Sequence, residues 1–191
     1  MTIGKYTLTG KNYFWLNYYR LESSISDKLT GEKLRTEDFP GFINKQYEYF
    51  HYLEMCKKLK KDGLAFKARG VGASEIAASN ESQDYTFFPE TLSITTAFIE
   101  EYVTNTLNKI WTQFDFLNTN TDGCFRHVRR KVDQSMRKRA SKVDIDGNES
   151  GWMSEIVGIT HDLPRKLRGF RANSIYFEEA GSDPVLIKTY T

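Results

Sequence analysis

Residues 64–74 carry the side chains and backbone freedom that a phosphate site needs; they read Leu-Ala-Phe-Lys-Ala-Arg-Gly-Val-Gly-Ala-Ser. The apolar start, residues 64–66, predicts a short strand, Gly70 and Gly72 predict a turn, and a helix is expected from about Ser74. N–H groups at the start of a helix attract an anion, and glycines let the backbone approach it closely. The Ser74 hydroxyl is a suitable ligand for Mg²⁺. The segment therefore predicts a phosphate-binding loop.

The loop departs from the Walker A motif of nucleotide-binding proteins. That motif places a lysine directly before the serine or threonine, where this chain has Ala73, and begins with a glycine, where this chain has Lys67. An ammonium group near the phosphates can also come from the other end of the loop, so Lys67 is a candidate replacement and Arg69 a second cation. The alternative is a glycine turn with ordinary surface cations.

Two carboxylates follow a short apolar strand about a hundred residues later. The strand is predicted at Ser174–Phe177, and Glu178 and Glu179 come directly after it. At the carboxyl end of a strand in a nucleotide-hydrolysing protein, one such carboxylate holds Mg²⁺ and the next polarises the attacking water. The alternative is a charged strand end that meets a turn. Together, in this order, the loop and the acidic pair favour nucleotide hydrolysis.

A basic stretch lies at residues 126–142, where eight cations stand against one acid, Asp133. Such a local concentration of charge favours contacts with DNA phosphates, which carry no sequence information, or with a neighbouring subunit. The alternative is a solvated hairpin. The residues assigned to nucleic-acid binding are Arg126, Arg129, Arg130, Lys131, Arg137, Lys138 and Arg139.

The elements that position these residues follow from the pattern of apolar side chains. Strands alternate with helices, which predicts an α/β sandwich with a mainly parallel sheet. Residues 23–31 predict a hairpin or surface loop, and residues 144–149 an Asp-Gly turn between strands. The predicted strands are residues 13–19, 91–98 and Glu155–Thr160, and the predicted helices are residues 42–61 and 98–116.

Length and composition bound the remaining possibilities. A chain of 191 residues with 39% hydrophobic residues is expected to form one domain. Its net charge is only +2, so a nucleic-acid partner would need a local footprint. Cys56 and Cys124 lack the spacing of a zinc site or disulfide framework, and no apolar block reaches membrane-spanning length. We expect reduced thiols, no membrane partner and a cytoplasmic location.

These features resemble the ATPase domain of the large terminase subunit of tailed bacteriophages, the motor that pumps DNA into a procapsid. The resemblance covers nearly the whole chain: the opening GKNYFWLNYYRL, the helix that carries Gln46, the loop KARGVGAS and the block LRGFRANSIYFEEAGS. It implies a P-loop fold of the additional-strand (ASCE) type. Some members of that family carry the loop lysine at the start of the motif, which makes Lys67 the expected replacement.

The resemblance also implies a role for each site residue, with ATP and Mg²⁺ as cofactors. Arg69 would sense or stabilise the γ-phosphate, Ser74 and Glu178 would lie on the Mg²⁺ side, and Glu179 would be the catalytic glutamate. Gln46 is the candidate for recognising adenine, although aromatics in residues 13–19 could cover the base and Gln46 could be a plain solvated position. The nucleotide-binding set is Lys67, Ala68, Arg69, Gly70, Val71, Gly72, Ala73, Ser74 and Gln46.

The implied partners are viral double-stranded DNA, the portal protein and the small terminase subunit. The implied assembly is a ring on the capsid in the host cytoplasm, with this piece monomeric alone as an alternative. Residues 1–191 are expected to be a single ATPase domain cut short after its Walker B-like strand, without the lid and the C-terminal nuclease. We therefore expect no nuclease activity and weak or absent hydrolysis from the isolated piece. The alternatives are another DNA-dependent P-loop ATPase, helicase-like or from transposition, and a nonhydrolytic nucleotide- or DNA-binding assembly module.

Overall fold

The fold was analysed in a computed structural model, which describes residues 2–3, 6–8, 10–26, 33–68, 70–124, 132–160, 167 and 170–182. The chain divides into two compact units, Met1–Ser79 and Asn80–Thr191. Each unit is described by itself below, and the expectation of one ATPase domain stays a prediction. No helix in the described part of the chain is long and apolar enough to cross a membrane.

The described residues of the first unit form two small antiparallel hairpins and three helical segments, the last of which continues into the second unit. The described pairing of β3 with β4 confirms the hairpin predicted around residues 23–31. The elements are β1 (Thr2–Ile3), β2 (Tyr6–Thr7), α1 (Gly10–Tyr18), β3 (Leu21–Ser26), β4 (Lys33–Asp38), α2 (Asn44–Leu59) and the start of α3 (Ala73–Phe87).

The strand predicted at residues 13–19 is wrong, because residues 13–18 lie in helix α1 and Tyr19 directly follows it. The aromatic residues lie four positions apart as well as alternating, and the helical spacing is the one that packs them. Phe14 stacks on Tyr18 with ring centres 5.9 Å apart, and Trp15 stacks on Tyr19 at 4.9 Å. Phe14 and Trp15 are both buried. Burial of large aromatic area on one helix face therefore outweighs their preference for strands.

Helix α2 confirms the helix predicted at residues 42–61, although Ile43 and Leu59 of the predicted apolar face are exposed. Phe50 is its fully buried apolar anchor and packs on Trp15 of α1, with ring centres 6.0 Å apart. The helix ends where Lys60 takes a left-handed backbone conformation (φ +53°). Lys57 and Lys58 stand in its last turn, where positive charge complements the helix dipole.

The second unit is an α/β structure built on one five-stranded sheet. The helices and strands predicted at residues 91–98, 98–116, Glu155–Thr160 and Ser174–Phe177 are confirmed in the described residues. Its elements after α3 are β5 (Leu92–Ala97), α4 (Glu100–Asn120), β6 (Val132–Gln134), β7 (Arg137–Arg139), β8 (Lys142–Val143), β9 (Glu149–Ser150), β10 (Glu155–Thr160), β11 (Ser174–Phe177) and a 3₁₀ turn (Ala180–Ser182).

The strand order is β11-β5-β10-β7-β6, and the sheet is mixed. β11 and β10 both pair with β5 in parallel, so the carboxyl ends of these three strands lie at one edge. β7 and β6 add to β10 as an antiparallel hairpin. The expected α/β architecture is thus present, with a sheet that is parallel in its β11-β5-β10 part and antiparallel beyond it.

Helix α4 covers the sheet with a continuous apolar stripe. All of the stripe is fully or almost fully buried, and Ile94 and Ile156 of the sheet are equally buried. Gly158 of β10 permits the close approach, because a Cβ there would lie 2.5 Å from the Leu107 side chain. The stripe consists of Val103, Leu107, Ile110, Phe114 and Leu117.

The turn predicted at residues 144–149 is confirmed between β8 and β9, which pair antiparallel. Asp144 accepts hydrogen bonds from the backbone N–H groups of Asp146 and Asn148. The Asn148 N–H in particular lowers the pKa of the Asp144 carboxyl. The carboxylate of Asp144 is therefore used by the turn itself.

Candidate functional site

The glycine loop of the first unit has left-handed backbone and leads directly into a helix. Gly70 and Gly72 both have left-handed φ angles, +84° and +80°. Helix α3 begins at Ala73, and the Ile76 N–H donates to the Gly72 carbonyl at 2.9 Å as the helix starts. The N–H groups of the first turn of a helix have no acceptor within that helix. This confirms the predicted sequence of glycine turn followed by helix.

The strand predicted at residues 64–66 is wrong, because the described backbone forms no strand there. Leu64 and Phe66 are 68% and 94% exposed, so the apolar side chains do not enter a sheet core. The Leu64 N–H donates to the Tyr52 hydroxyl at 2.8 Å, and the same hydroxyl donates to the Leu64 carbonyl at 3.1 Å. A side chain of α2 thus takes the backbone groups that a neighbouring strand would otherwise pair.

The positions around the loop differ in their exposure. Ala73 is buried at the start of α3, so the position that holds the lysine in a Walker A motif holds a small packed side chain. Ser74 is half-buried, whereas Lys67 and Ala68 are exposed. A cation for a bound phosphate must therefore come from outside the helix start, and Lys67 is exposed enough to supply it. Arg69 lies outside the described residues.

Gln46 braces the loop from helix α2. Its side-chain amide Nε2 donates to the Val71 carbonyl at 3.0 Å. A Cβ added to Gly72 would lie 3.3 Å from the same Nε2. Gln46 is 8% exposed, so the alternative of a solvated helix position is wrong. Its predicted role in recognising adenine stays a prediction.

A buried hydrogen bond fixes the first turn of α3. The Tyr19 hydroxyl donates to the Glu75 carboxylate at 2.7 Å, and Tyr19 is 1% exposed. Burial, and then the neighbouring Glu75 charge, raise the pKa of Tyr19 well above its usual value. Sequence reasoning missed this pair, since the partners lie 56 residues apart and Tyr19 had been counted as part of a strand.

The second unit carries the predicted acidic pair at the carboxyl end of β11. The Glu178 N–H donates to the Thr96 carbonyl at 2.9 Å, so the backbone of Glu178 is held by the neighbouring strand β5. Its side chain is buried and accepts a hydrogen bond from the Tyr176 hydroxyl. The tyrosine lies two positions before the glutamate, and the alternation of strand side chains brings both to one face. That spacing is a signal that sequence reasoning could have used.

Glu179 has a different environment from Glu178. It is exposed, and its backbone has a left-handed φ of +51°, which non-glycine residues adopt at a cost of about 1–2 kcal/mol. Both glutamates line a cleft of about 320 Å³ together with Phe98, Ile99 and Tyr102. The three apolar residues come just after the carboxyl end of β5, at the edge where ligands commonly bind in parallel sheets.

The described part of the basic stretch is engaged within the second unit. Glu155, which is buried, forms ion pairs with Arg137 Nε and with Arg139 Nη1, the second at 2.8 Å. Arg139 also pairs with Glu149 at 2.8 Å. These contacts fasten the β6–β7 hairpin to β10.

Of the remaining cations, one makes an aromatic contact, Lys142 is exposed, and four lie in the undescribed segment. Lys138 places its ammonium 4.8 Å from the centre of the Trp111 ring, in a cation–π contact. Nucleic-acid binding by the hairpin cations stays a prediction. Arg126, Arg129, Arg130 and Lys131 lie outside the described residues.

Glu178 and Ser74, each taken within its own unit, offer oxygen donors only. Mg²⁺ binds through one or two carboxylates, hydroxyls and substrate phosphates, and Glu178 and Ser74 are oxygen donors of this kind. Among the described residues, no group of three or more His, Cys, Asp and Glu side chains could hold a metal ion. A zinc-type cluster is therefore absent from the described part of the chain.

Comparisons with protein-family models, with curated proteins and with solved structures found no match to this chain. The resemblance to terminases accordingly remains a hypothesis that depends on the motifs quoted above.

Proposed function

We propose that the chain is the ATP-hydrolysing motor domain of a phage terminase large subunit, which powers the translocation of viral double-stranded DNA into the procapsid. The observation that carries this proposal is the glycine loop at the start of α3, with left-handed backbone at Gly70 and Gly72. Two such glycines before a helix turn successive N–H groups toward a concave anion site.

In this proposal the loop binds the polyphosphate of ATP. Backbone N–H groups and the start of α3 stabilise its negative charge, and Lys67 supplies an ammonium in place of the missing Walker A lysine. Ser74 and Glu178 are the residues that would hold Mg²⁺ through their oxygen atoms, and the ion would supply positive charge to the phosphates when bound. Arg69 adds a further cation at the γ-phosphate.

Glu179 is the proposed base that orients the attacking water. Its exposed carboxylate lies beside a cleft, whereas Glu178 is buried and held by Tyr176. Two neighbouring carboxylates with such different surroundings suit two different tasks, ligation for the fixed one and water activation for the accessible one.

The test is phosphate release from Mg-ATP by Glu179→Gln, with and without double-stranded DNA. Loss of the base is expected to reduce turnover by roughly 10²–10⁴-fold and to leave the affinity for a nonhydrolysable ATP analogue unchanged. Glu90→Gln is the matched control, because Glu90 is also an exposed glutamate with left-handed backbone (φ +58°). Unchanged turnover in Glu179→Gln would contradict the assignment.

One observation favours a second candidate, a nonhydrolytic nucleotide- or DNA-binding assembly module. P-loop enzymes have a strand directly before the loop, and residues 64–66 form no strand in this chain. Binding of the nucleotide without phosphate release, in the presence and absence of DNA, would establish this candidate over the motor. DNA-stimulated turnover together with duplex unwinding would instead indicate a helicase-like ATPase.

A further inference from the structure

We infer that Gln46 is a positioning residue that holds the glycine loop in its polyphosphate-binding shape, and that it does not read the base of the nucleotide. This inference rests on the proposed function of the loop. It changes the role of Gln46 from contact with adenine to support of the backbone that surrounds the phosphates.

The first argument is the place of the contact within the loop. Val71 lies between the two left-handed glycines, so the direction of its carbonyl depends on the least restricted part of the backbone. The Gln46 amide donates to that carbonyl at 3.0 Å and draws it toward α2. An anion site needs N–H groups facing the ligand and carbonyl oxygens facing away from it. A hydrogen bond that fixes one carbonyl therefore selects the orientation that binds an anion.

The second argument is the closeness of packing at Gly72. A Cβ at this position would lie 3.3 Å from Gln46 Nε2, which is tighter than ordinary side-chain contact. The absence of a side chain lets the amide reach past Gly72 to the carbonyl of Val71. The glycine thus serves the contact with Gln46 as well as the left-handed turn.

The third argument is the surroundings of the amide itself. Gln46 is 8% exposed, and its Oε1 is buried without a hydrogen-bond partner among the described residues. An acceptor that is buried in this way is not open to the edge of a base. A base-reading glutamine needs its donor and acceptor open to the ring edge. Here one of the two amide N–H donors is used by Val71, and the acceptor is buried.

The experiment measures calorimetric binding of three ligands with Mg²⁺: ATP, GTP and inorganic tripolyphosphate, which has no base. Gln46→Met keeps the length of the side chain and removes the amide. We expect it to lower the affinity for all three ligands by a similar factor, about tenfold, because all three bind the same loop. Gln46→Glu replaces the donor with an acceptor that repels the Val71 carbonyl. It is expected to lower the affinity for all three ligands at least as much.

Hydrogen exchange supplies a readout that is independent of turnover. With tripolyphosphate bound, the amides of residues 70–72 are expected to exchange faster in Gln46→Met than in the wild type. The whole chain of the variant is still expected to unfold on heating as the wild type does. Gln113→Met on α4 is the matched control, since it removes another buried helical amide. It is expected to leave the affinities for the three ligands and the exchange of residues 70–72 unchanged.

The possible results separate the inference from the proposed function. Loss of ATP binding alone, with tripolyphosphate binding intact, would overturn the inference and assign Gln46 to the base. Wild-type affinity for all three ligands in both variants would overturn it as well. A wild-type chain that binds none of the three would overturn the proposed function together with the inference.

Discussion

Replacing Tyr19 by phenylalanine removes a single hydroxyl from the contact that fixes the first turn of α3. The ring remains, and its stacking on Trp15 at 4.9 Å is retained, so little apolar burial is lost. What is lost is a 2.7 Å hydrogen bond from a fully buried hydroxyl to the Glu75 carboxylate. Hydrogen bonds to charged groups contribute about 1.5–3 kcal/mol. We expect Tyr19→Phe to lower the free energy of unfolding by this amount near neutral pH.

The same hydrogen bond predicts a dependence on alkaline pH. Burial, and then the Glu75 charge, raise the pKa of Tyr19 above its usual value of about 10. A pKa that is raised in the folded state gives stability that is complete below the unfolded pKa. That stability is lost as the pH rises from there through the folded value. The stability difference between the wild type and Tyr19→Phe is therefore expected to shrink above about pH 10, by at most about 1.4 kcal/mol per pH unit.

The assay is urea denaturation followed by far-UV circular dichroism, from about pH 7 to about pH 11. Tyr19→Phe, Glu75→Ala and the double variant form a cycle, and a coupling energy of about 1–2 kcal/mol is expected. Tyr13→Phe is the control, because Tyr13 lies on the same helix but is 37% exposed, and its effect should be within about 0.5 kcal/mol. A coupling energy below about 0.5 kcal/mol, or a stability difference that stays constant across this pH range, would refute the reasoning.

Three further predictions follow from the site and the hairpin. Lys67→Ala is expected to weaken ATP binding at least about tenfold if this ammonium replaces the motif lysine, and a calorimetric affinity equal to the wild type would argue against it. Glu155→Gln leaves the hairpin arginines without their buried carboxylate, so the free energy of unfolding measured in urea should fall by about 1–3 kcal/mol. An unchanged free energy of unfolding would show that these ion pairs do not stabilise the fold. Reversing Arg129 and Arg130 to glutamate should reduce DNA binding and flatten its salt dependence, while reversal of two lysines on α2 serves as the charge-matched control. Equal affinity at matched salt would favour a solvated hairpin.

The elements predicted correctly are those whose pattern admits one interpretation. Helix α4 has an apolar stripe at helical spacing, and β5 is a β-branched run with no helical pattern. Residues 13–19 are different, because their aromatic side chains satisfy both an alternating and a helical pattern. Contacts with Phe50 and within α1 decided between the two. The three apolar residues 64–66 predict a strand, but in the structure all three are exposed and Tyr52 takes the backbone groups of Leu64.

The candidate site divides in the same way. A glycine turn before a helix and two glutamates after a strand are local features, so the residue types and their spacing were enough to find them. The antiparallel direction of the strands beyond β10 does not follow from a local pattern. The β6–β7 hairpin pairs with β10, which is distant along the chain, and its arginines form ion pairs with Glu155. Nothing in the basic stretch itself distinguishes cations that face DNA from cations that fasten a hairpin.

The sequence by itself determined which residues could do chemistry: the loop at residues 67–74, the acidic pair at Glu178 and Glu179, the helix after the loop and the strand before the acidic pair. Only the tertiary structure decided which side chains support that chemistry. Gln46 reaches a loop carbonyl 25 residues away, and Tyr19 reaches Glu75 across 56 residues. The physical reason is that a buried hydrogen bond depends on where folding brings donor and acceptor together, whereas turns and periodic faces depend on neighbours along the chain.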